Sequence, residues 1–351
     1  MKLPAVRLRR TTGNALALLN FPKGTLFNRA SCSIFREPRT SGRAHPFLMT
    51  TSIKPPRLRP GDRVGVLAPA SPCPVNELES GCLILEKMGL EVVVDVGSES
   101  LHSGYLAGSD EYRTSRFNQF VQDPEIRGLF CARGGYGSLR ILPELSYDHL
   151  RSTPKPLVGF SDITALLLSC HRQTGLVCFH GPTVSTLATA DQNTVDSLWM
   201  ALSSTEPIQY HFPEALSLKP GSSVGTVLGG NFTTLSHLLG TDFLPSFDGA
   251  LVLLEDRGEA TYRIDRMLTQ LLHTGFFNDI AGLILGDFSE SGPRDELNEL
   301  VHERLASTSF PILSGVPIGH EQQNLTLPLG LTATLDAGAG TLTYHQAATT
   351  P

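Results

Sequence analysis

The chain has 351 residues, of which 40% are hydrophobic and 18% are charged, and its formal net charge is -6. These values are typical of a soluble globular protein, and the length favours two domains. No apolar run reaches the roughly eighteen residues that a bilayer span requires, so we predict no transmembrane helix and no membrane partner.

The charge is distributed unevenly along the chain. Residues 1–50 carry nine lysines or arginines and one acid, Glu37, whereas the rest of the chain carries 19 basic and 33 acidic side chains. Because nucleic acid requires a basic face, the acidic body excludes it as a partner. The basic extension 1–50 is either a transit peptide or an upstream extension before a working start at Met49. We expect it to be disordered or a targeting segment, and the protein to be cytoplasmic or, with a transit peptide, in a plastid or mitochondrion.

The cysteines form no C-x-x-C pair, and the chain has no H-E-x-x-H sequence. This pattern argues against a disulfide framework and against a metal cofactor, and it favours a reducing compartment. The six cysteines are Cys32, Cys73, Cys82, Cys131, Cys170 and Cys178.

Short apolar strands alternate with helical stretches over residues 58–190. The predicted strands are RVGVLAP, LEVVVDV, IRGLFCA and KPLVGF, and the predicted helices are VNELESGCLILEKMG and DEYRTSRFNQFVQDP. This alternation predicts an N-terminal α/β domain with a parallel sheet covered on both faces. In such sheets, ligands bind at the carboxyl ends of the strands.

The second half of the chain mixes two patterns. Residues 191–222 are rich in proline, serine and glycine, and we predict that they link two domains. Residues 223–346 then carry strands in SVGTVLGGN, GALVLLE and IAGLILGDF, separated by helical stretches and followed by an antiparallel tail. This segment is predicted to form a second domain of mixed α/β structure.

Ser161 and Asp162 stand where the strand in PLVGF ends and a helical pattern begins. A nucleophile elbow holds its serine at such a junction, although GFSDI has only the first glycine of G-x-S-x-G. Serine and aspartate are also preferred helix N-caps, so capping alone is the simpler interpretation. The two roles are compatible, because a helix start also offers backbone N–H groups to an oxyanion.

A glycine-rich loop, CARGGYGSLR, follows another predicted strand. Its bare backbone N–H groups could bind an anion, but the loop breaks the G-x-G-x-x-G pattern, which argues against a dinucleotide. An oxyanion hole beside Ser161 would use the same amides, and a plain tight turn stays open as an alternative.

Glu255 and His320 also follow apolar runs. A buried acid requires a partner, and an imidazolium would be suitable. The alternative for Glu255 is a salt bridge with Arg257 or Arg263, and His180 competes as the base. With the serine, these residues give the order Ser, acid, His that many serine hydrolases have, but spacing alone does not show that they meet.

Six blocks of the sequence, taken in chain order, resemble the LD-carboxypeptidase family of serine peptidases. That family includes muramoyltetrapeptide carboxypeptidases and a divergent branch of microcin C7 self-immunity hydrolases. The blocks are RPGDRVGVLAPASP, RGGYGSLR, GFSDITALL, LGGN, LLEDRGEATYRIDRML and GHEQQNLTLPLG, from about Pro60 to about Thr343. The resemblance implies an N-terminal parallel α/β/α sandwich and a smaller C-terminal β-rich α/β domain, with the catalytic site at their interface. It also implies a homodimer.

The resemblance places a Ser-Glu-His triad at Ser161, Glu255 and His320. The implied activity is that of a serine L,D-carboxypeptidase without a cofactor. Its substrate would be a small peptide, the murein tetrapeptide of peptidoglycan recycling, cut between the diamino acid and the terminal D-alanine.

The implied oxyanion donors are the backbone amides of Gly135 and Asp162, with Gly134 as an alternative to Gly135. An exopeptidase also needs a group that holds the terminal carboxylate of its substrate, and Arg133 is a candidate.

Other functions stay open beside this one. A hydrolase of peptidyl or aminoacyl-nucleotide conjugates, of the microcin C7 immunity type, would use the same triad. A non-catalytic ligand-binding module would lack a triad residue, and none is missing. A nucleotide-dependent enzyme would need an acid about twenty residues beyond the glycine loop. Thiol catalysis by Cys131 is the weakest alternative, because a cysteine in a strand is usually a small buried hydrophobe.

Overall fold

The computed structural model describes residues 52–96 and 104–351, and these residues form two β-sheets with helices packed against them. The basic extension 1–50 and Cys32 lie outside the described residues, so the expectations for them stay predictions. Among the helices that are described, none combines the length and the apolar character needed to cross a membrane.

The strands and helices follow one another closely along the chain. The strands are β1 (Arg63–Leu67), β2 (Glu91–Asp95), β3 (Gly128–Cys131), β4 (Leu157–Gly159), β5 (Cys178–His180), β6 (Gln209–His211), β7 (Leu216–Lys219), β8 (Ser222–Asn231), β9 (Ala250–Arg257), β10 (Gly282–Ser289), β11 (Ile312–Ser314), β12 (Leu327–Leu329), β13 (Thr332–Asp336) and β14 (Thr341–Tyr344). The α-helices are α1 (Val75–Lys87), α2 (Asp110–Gln122), α3 (Ser138–Ile141), α4 (Tyr147–Ser152), α5 (Thr164–Thr174), α6 (Val184–Leu187), α7 (Gln192–Ser203), α8 (Phe232–Leu238), α9 (Thr261–His273) and α10 (Arg294–Arg304).

The first sheet confirms the parallel α/β prediction. Its order is β12-β5-β4-β3-β1-β2, and the strands from β5 to β2 run parallel to one another. Every residue of β3, β4 and β5 is buried, so both faces of the central strands are covered. A sheet buried on both faces explains why these strands read as continuous apolar runs.

The second sheet confirms the mixed character predicted for the C-terminal half. Its order is β6-β14-β13-β8-β9-β10-β11-β7, with a parallel centre from β8 to β11 and antiparallel strands on both sides. Residues 191–222, predicted as a linker, contain α7 as well as β6 and β7, which are the two outer strands of this sheet. An edge strand needs a ladder on one side only, so it tolerates neighbouring proline and glycine that would interrupt a central strand.

The segment that follows His320 crosses from the second half of the chain to the first. Its strand β12 pairs antiparallel with β5, with Leu327 opposite His180. Before that strand, the backbone N–H of Asn324 donates to Thr194 Oγ1 of α7 at 2.9 Å. These contacts hold the loop of His320 against the carboxyl end of the first sheet.

Helix α6 forms one wall near this loop, and its position depends on a glycine in α1. A Cβ atom on Gly81 would lie 1.9 Å from the backbone oxygen of Val184, the first residue of α6. No side chain of any size fits between these two backbones.

We therefore expect Gly81→Ala to destabilise the protein by about 1–3 kcal/mol, because the methyl group overpacks the contact between α1 and α6. In an unobstructed helix, the same change would stabilise by about 0.5–1 kcal/mol. Urea unfolding measures the effect, with the exposed neighbour Ser80→Ala as the matched control. An unfolding midpoint for Gly81→Ala at or above that of the wild type would contradict the prediction.

Candidate active site

Ser161 lies at a sharp turn between β4 and the helices that follow. Its φ is 63°, and among the described non-glycine residues only Glu290 also has a positive φ. A Cβ atom on Gly159 would lie 2.7 Å from Ile163 Cγ2, so the turn folds back closely on the strand. Backbone strain of this kind costs on the order of 1–3 kcal/mol and is concentrated at functional sites. The geometry is that of a nucleophile elbow.

Asp162 connects this turn to the glycine-rich loop. Its carboxylate Oδ2 accepts a hydrogen bond from the backbone N–H of Ser138 at 2.8 Å, and the Ser138 hydroxyl donates to the Asp162 carbonyl. The side chain therefore bonds to the first residue of α3, and neither Ser161 nor Asp162 supplies a side-chain cap to the helices that follow the turn.

The glycine-rich loop packs directly against Ser161. A Cβ atom on Gly134 would lie 2.8 Å from Ser161 Cβ, and one on Gly135 would lie 2.2 Å from Ser71 Oγ. Ser71 also fixes the loop, because its backbone N–H donates to the Gly134 carbonyl at 3.1 Å and its hydroxyl accepts from the Tyr136 N–H at 3.1 Å. Glycine at 134 lets the loop backbone approach Ser161 this closely, and glycine at 135 leaves room for Ser71.

Glu255 and His320 form a buried pair. His320 Nδ1 lies 2.8 Å from Glu255 Oε2, and the exposed side-chain fractions are 0% for the glutamate and 13% for the histidine. An ionised Glu255 only accepts hydrogen bonds, so in that state Nδ1 donates this bond and Nε2 is the ring nitrogen that faces away from the carboxylate. Burial raises the pKa of Glu255, and the hydrogen bond from His320 opposes part of that rise.

This pair decides between the interpretations of Glu255 that the sequence left open. Arg257 pairs with Glu290 at 2.7 Å and Arg263 pairs with Glu259 at 3.4 Å, so neither arginine takes the carboxylate of Glu255.

The neighbouring acid, Asp256, has a different set of partners. Its carboxylate accepts hydrogen bonds from Asn231 Nδ2 at 3.0 Å and from the Thr233 hydroxyl at 2.7 Å. These bonds tie β9 to the start of α8. Sequence reasoning did not single out Asn231, and its place after the glycines of LGGN is the signal that could have found it.

The turn of Ser161 and the pair of Glu255 and His320 lie side by side. The ring of Phe160, the residue before Ser161, lies 4.7 Å from the ring of His320, centroid to centroid. Within the described part of the chain, no hydrogen bond joins the Ser161 hydroxyl to the imidazole. The structure thus brings the serine turn of the first half and the Glu-His pair of the second half to one place.

His180, the competing base, is fully buried in β5. Neither of its ring nitrogens has a hydrogen-bond partner among the described residues. Burial lowers the pKa of His180 to about 3, and the nearby His320 adds to this effect. A neutral imidazole without exposure to solvent is a poor candidate for the base.

Two further sequence candidates lie outside the pair. Cys131 has no exposure, and burial raises the pKa of its thiol well above the usual value, which is the opposite of what a catalytic thiol needs. Arg133 is exposed, and its Nη1 donates to the Pro72 carbonyl at 3.1 Å.

A cleft of about 420 Å³ opens beside His320. Its walls include Thr186 of α6, Thr194 of α7 and Arg257 at the end of β9. Within residues 52–96 and 104–351, no cluster of histidine, cysteine, aspartate or glutamate has the arrangement to hold a metal ion. The cleft has the size of a small-peptide site and opens onto the imidazole.

Comparison with known proteins supports the resemblance noted above. Residues 64–181 match a family model described as the LD-carboxypeptidase N-terminal domain, and residues 224–335 match one described as the LD-carboxypeptidase C-terminal domain. A probable murein peptide carboxypeptidase of Bacillus subtilis is 36% identical over 84% of this chain and 95% of its own. A murein tetrapeptide carboxypeptidase of Pseudomonas aeruginosa is 33% identical over 78% and 93%.

Solved structures agree with this assignment. A muramoyltetrapeptide carboxypeptidase from Oxalobacter formigenes is 29% identical, with a TM-score of 0.72 over 80% of this chain and 97% of its own. The microcin C7 self-immunity protein MccF in complex with glutamyl sulfamoyl guanosine has a TM-score of 0.79 over 85% of this chain and 99% of its own. At 23% identity, that second likeness shows the fold alone. From the two matched domain models and these relatives, we conclude that the chain belongs to the LD-carboxypeptidase family.

Proposed function

We propose that this protein is a serine L,D-carboxypeptidase that releases the terminal D-alanine of murein tetrapeptides, with Ser161, Glu255 and His320 as its catalytic triad. The observation that carries the proposal is the 2.8 Å hydrogen bond between the buried Glu255 and His320, beside the strained turn of Ser161. The names of the relatives at 33% and 36% identity support the substrate class.

In the proposed mechanism, His320 Nε2 removes the proton of Ser161 as the hydroxyl oxygen attacks the carbonyl carbon of the scissile amide. Glu255 holds Nδ1–H and stabilises the imidazolium that forms. His320 then protonates the leaving amine of D-alanine, and water, activated by the same histidine, hydrolyses the acyl-enzyme. The burial of Glu255 favours this role, because a carboxylate removed from water interacts strongly with the developing imidazolium.

The oxyanion of the tetrahedral intermediate is proposed to accept hydrogen bonds from the backbone N–H groups of Gly135 and Asp162, with Gly134 as the alternative to Gly135. The close packing of Gly134 on Ser161 supports an oxyanion donor from the glycine loop, at Gly134 or at the adjacent Gly135. The amide of Asp162 belongs to the first turn of a helix, where N–H groups lack intrahelical partners. Each such donor typically contributes about 3 kcal/mol to transition-state stabilisation.

The proposal extends to the biological setting. We propose a role in peptidoglycan recycling, a cytoplasmic homodimer, and an organelle instead of the cytoplasm if residues 1–50 are a transit peptide. The rival activity, hydrolysis of aminoacyl-nucleotide conjugates, has weaker support, because the MccF structures are similar to this chain at only 23–24% identity.

We expect Ser161→Ala to lower D-alanine release from murein tetrapeptide by about 10⁴-fold or more, because the attacking oxygen is lost. Mass spectrometry of the released D-alanine measures this effect in the chain from Met49 onward. The matched control is Ser152→Ala, at an exposed serine on α4. Equal release by wild type and Ser161→Ala would show that another group is the nucleophile. Cleavage of an aminoacyl-nucleotide conjugate but not of the tetrapeptide would favour the rival activity.

We expect Glu255→Gln to lower kcat by about 10²–10⁴-fold, because the amide keeps the shape of the carboxylate but not its charge.

The same substitution should not lower the stability of the protein at pH 8. Since burial raises the pKa of Glu255, its contribution to folding is present below the unfolded-state pKa and is lost as the pH rises through the folded-state pKa. The amide side chain does not titrate, so the free energy of unfolding of the Glu255→Gln variant at pH 8 should equal or exceed that of the wild type.

Urea unfolding at pH 8 and kcat, measured on the same samples, test both parts. The matched control is Asp256→Asn, which weakens the hydrogen bonds to Asn231 and Thr233. That control should unfold more easily and keep its kcat within a few-fold. A Glu255→Gln variant whose activity falls only in proportion to its folded fraction would contradict the catalytic role.

A further inference from the structure

Strand β9, which contains Glu255, also contains an arginine that lines the cleft. Arg257 is the last residue of β9 and lies two positions after Glu255. Because side chains alternate along a strand, residues two apart lie on the same face of the sheet. Arg257 and His320 accordingly line the same cleft of about 420 Å³.

Arg257 is the only lysine or arginine among the described residues that line this cleft. Arg133 bonds to the Pro72 carbonyl and is not part of the cleft wall. Arg294 lines a separate cavity of about 200 Å³, where it lies 3.4 Å from Asp287. The cleft next to the imidazole therefore contains one fixed positive charge.

The guanidinium of Arg257 has N–H donors that its bond to Glu290 does not use. Its Nη2 donates to Glu290 Oε1 at 2.7 Å, and the exposed side-chain fractions are 52% for the arginine and 66% for the glutamate. A guanidinium has five N–H groups in a planar fork, so most of them stay available to a second acceptor. Glu290 orients the arginine, and an ion pair this exposed is weak enough for a ligand to displace.

We propose that Arg257 binds the terminal carboxylate of the peptide substrate and thereby restricts the enzyme to the last residue of a chain. This inference rests on the proposed carboxypeptidase function. A planar guanidinium accepts a carboxylate in a two-bond arrangement that a neutral chain end does not reproduce.

The test compares murein tetrapeptide with the same peptide carrying a D-alanine amide at its end. The wild type should show a higher kcat/KM for the free acid. In Arg257→Met, kcat/KM should fall about 10–100-fold for the acid and stay within about threefold for the amide, so that the preference collapses. Arg257→Lys keeps the charge without the fork and should recover part of the preference.

Two further variants make the test specific. Arg63→Met is the matched control, because Arg63 is also an exposed arginine beside an exposed glutamate, Glu91, but begins β1 at the amino end of the first sheet. It should keep the wild-type preference. Arg133→Met tests the other candidate for the carboxylate, and a loss of preference in this variant alone would overturn the assignment to Arg257.

Failure of the inference and failure of the proposed function give different results. If the wild type releases D-alanine and Arg257→Met keeps the preference for the free acid, the assignment to Arg257 is wrong. If the wild type cleaves neither peptide, the proposed function is wrong. In that case, equilibrium binding of the two peptides to Ser161→Ala, with and without Arg257→Met, still decides whether Arg257 recognises the carboxylate.

Discussion

The hydrogen bond between Glu255 and His320 is the interaction on which the rest of the site depends. A carboxylate with no exposure to solvent is costly without hydrogen-bond partners, and His320 is the partner of its Oε2. The surrounding backbone is arranged to admit the pair. A Cβ atom on Gly319 would lie 3.0 Å from Glu255 Oε2, and one on Gly286 would lie 2.3 Å from the carbonyl oxygen of Ile318. Glycine at these positions lets the loop of His320 close over β9.

The other half of the site is held by strain and close packing instead of charge. Ser161 keeps a positive φ because β4 and Ile163 confine the turn from one side and the glycine loop presses on it from the other. Backbone strain of this kind lowers the free energy of unfolding, and the packing of the surrounding core has to offset that loss. The hydrogen bond from Asn324 to Thr194 joins segments that are distant in sequence, and it keeps the two halves of the site together.

Burial and hydrogen-bond partners also determine which of two similar residues is a candidate for catalysis. His180 and His320 both follow apolar runs, but His180 has no exposure and a pKa lowered to about 3, whereas His320 opens onto the cleft and has a carboxylate partner. Glu255 and Asp256 are adjacent in the chain, but one faces the imidazole and the other fastens α8. Alternation along a single strand therefore separates a catalytic candidate from a structural residue.

The sequence by itself determined the alternation of strands and helices in residues 58–190, the mixed α/β class and the family, because periodicity and short motifs are local properties. It also indicated that polar residues collect at strand ends. Only the tertiary structure decided that Glu255 pairs with His320 instead of an arginine, that β6 and β7 of the presumed linker complete a sheet, and that β12 crosses to β5. These outcomes depend on which distant segments the chain path brings together and how deeply it buries them, and no local pattern carries that information.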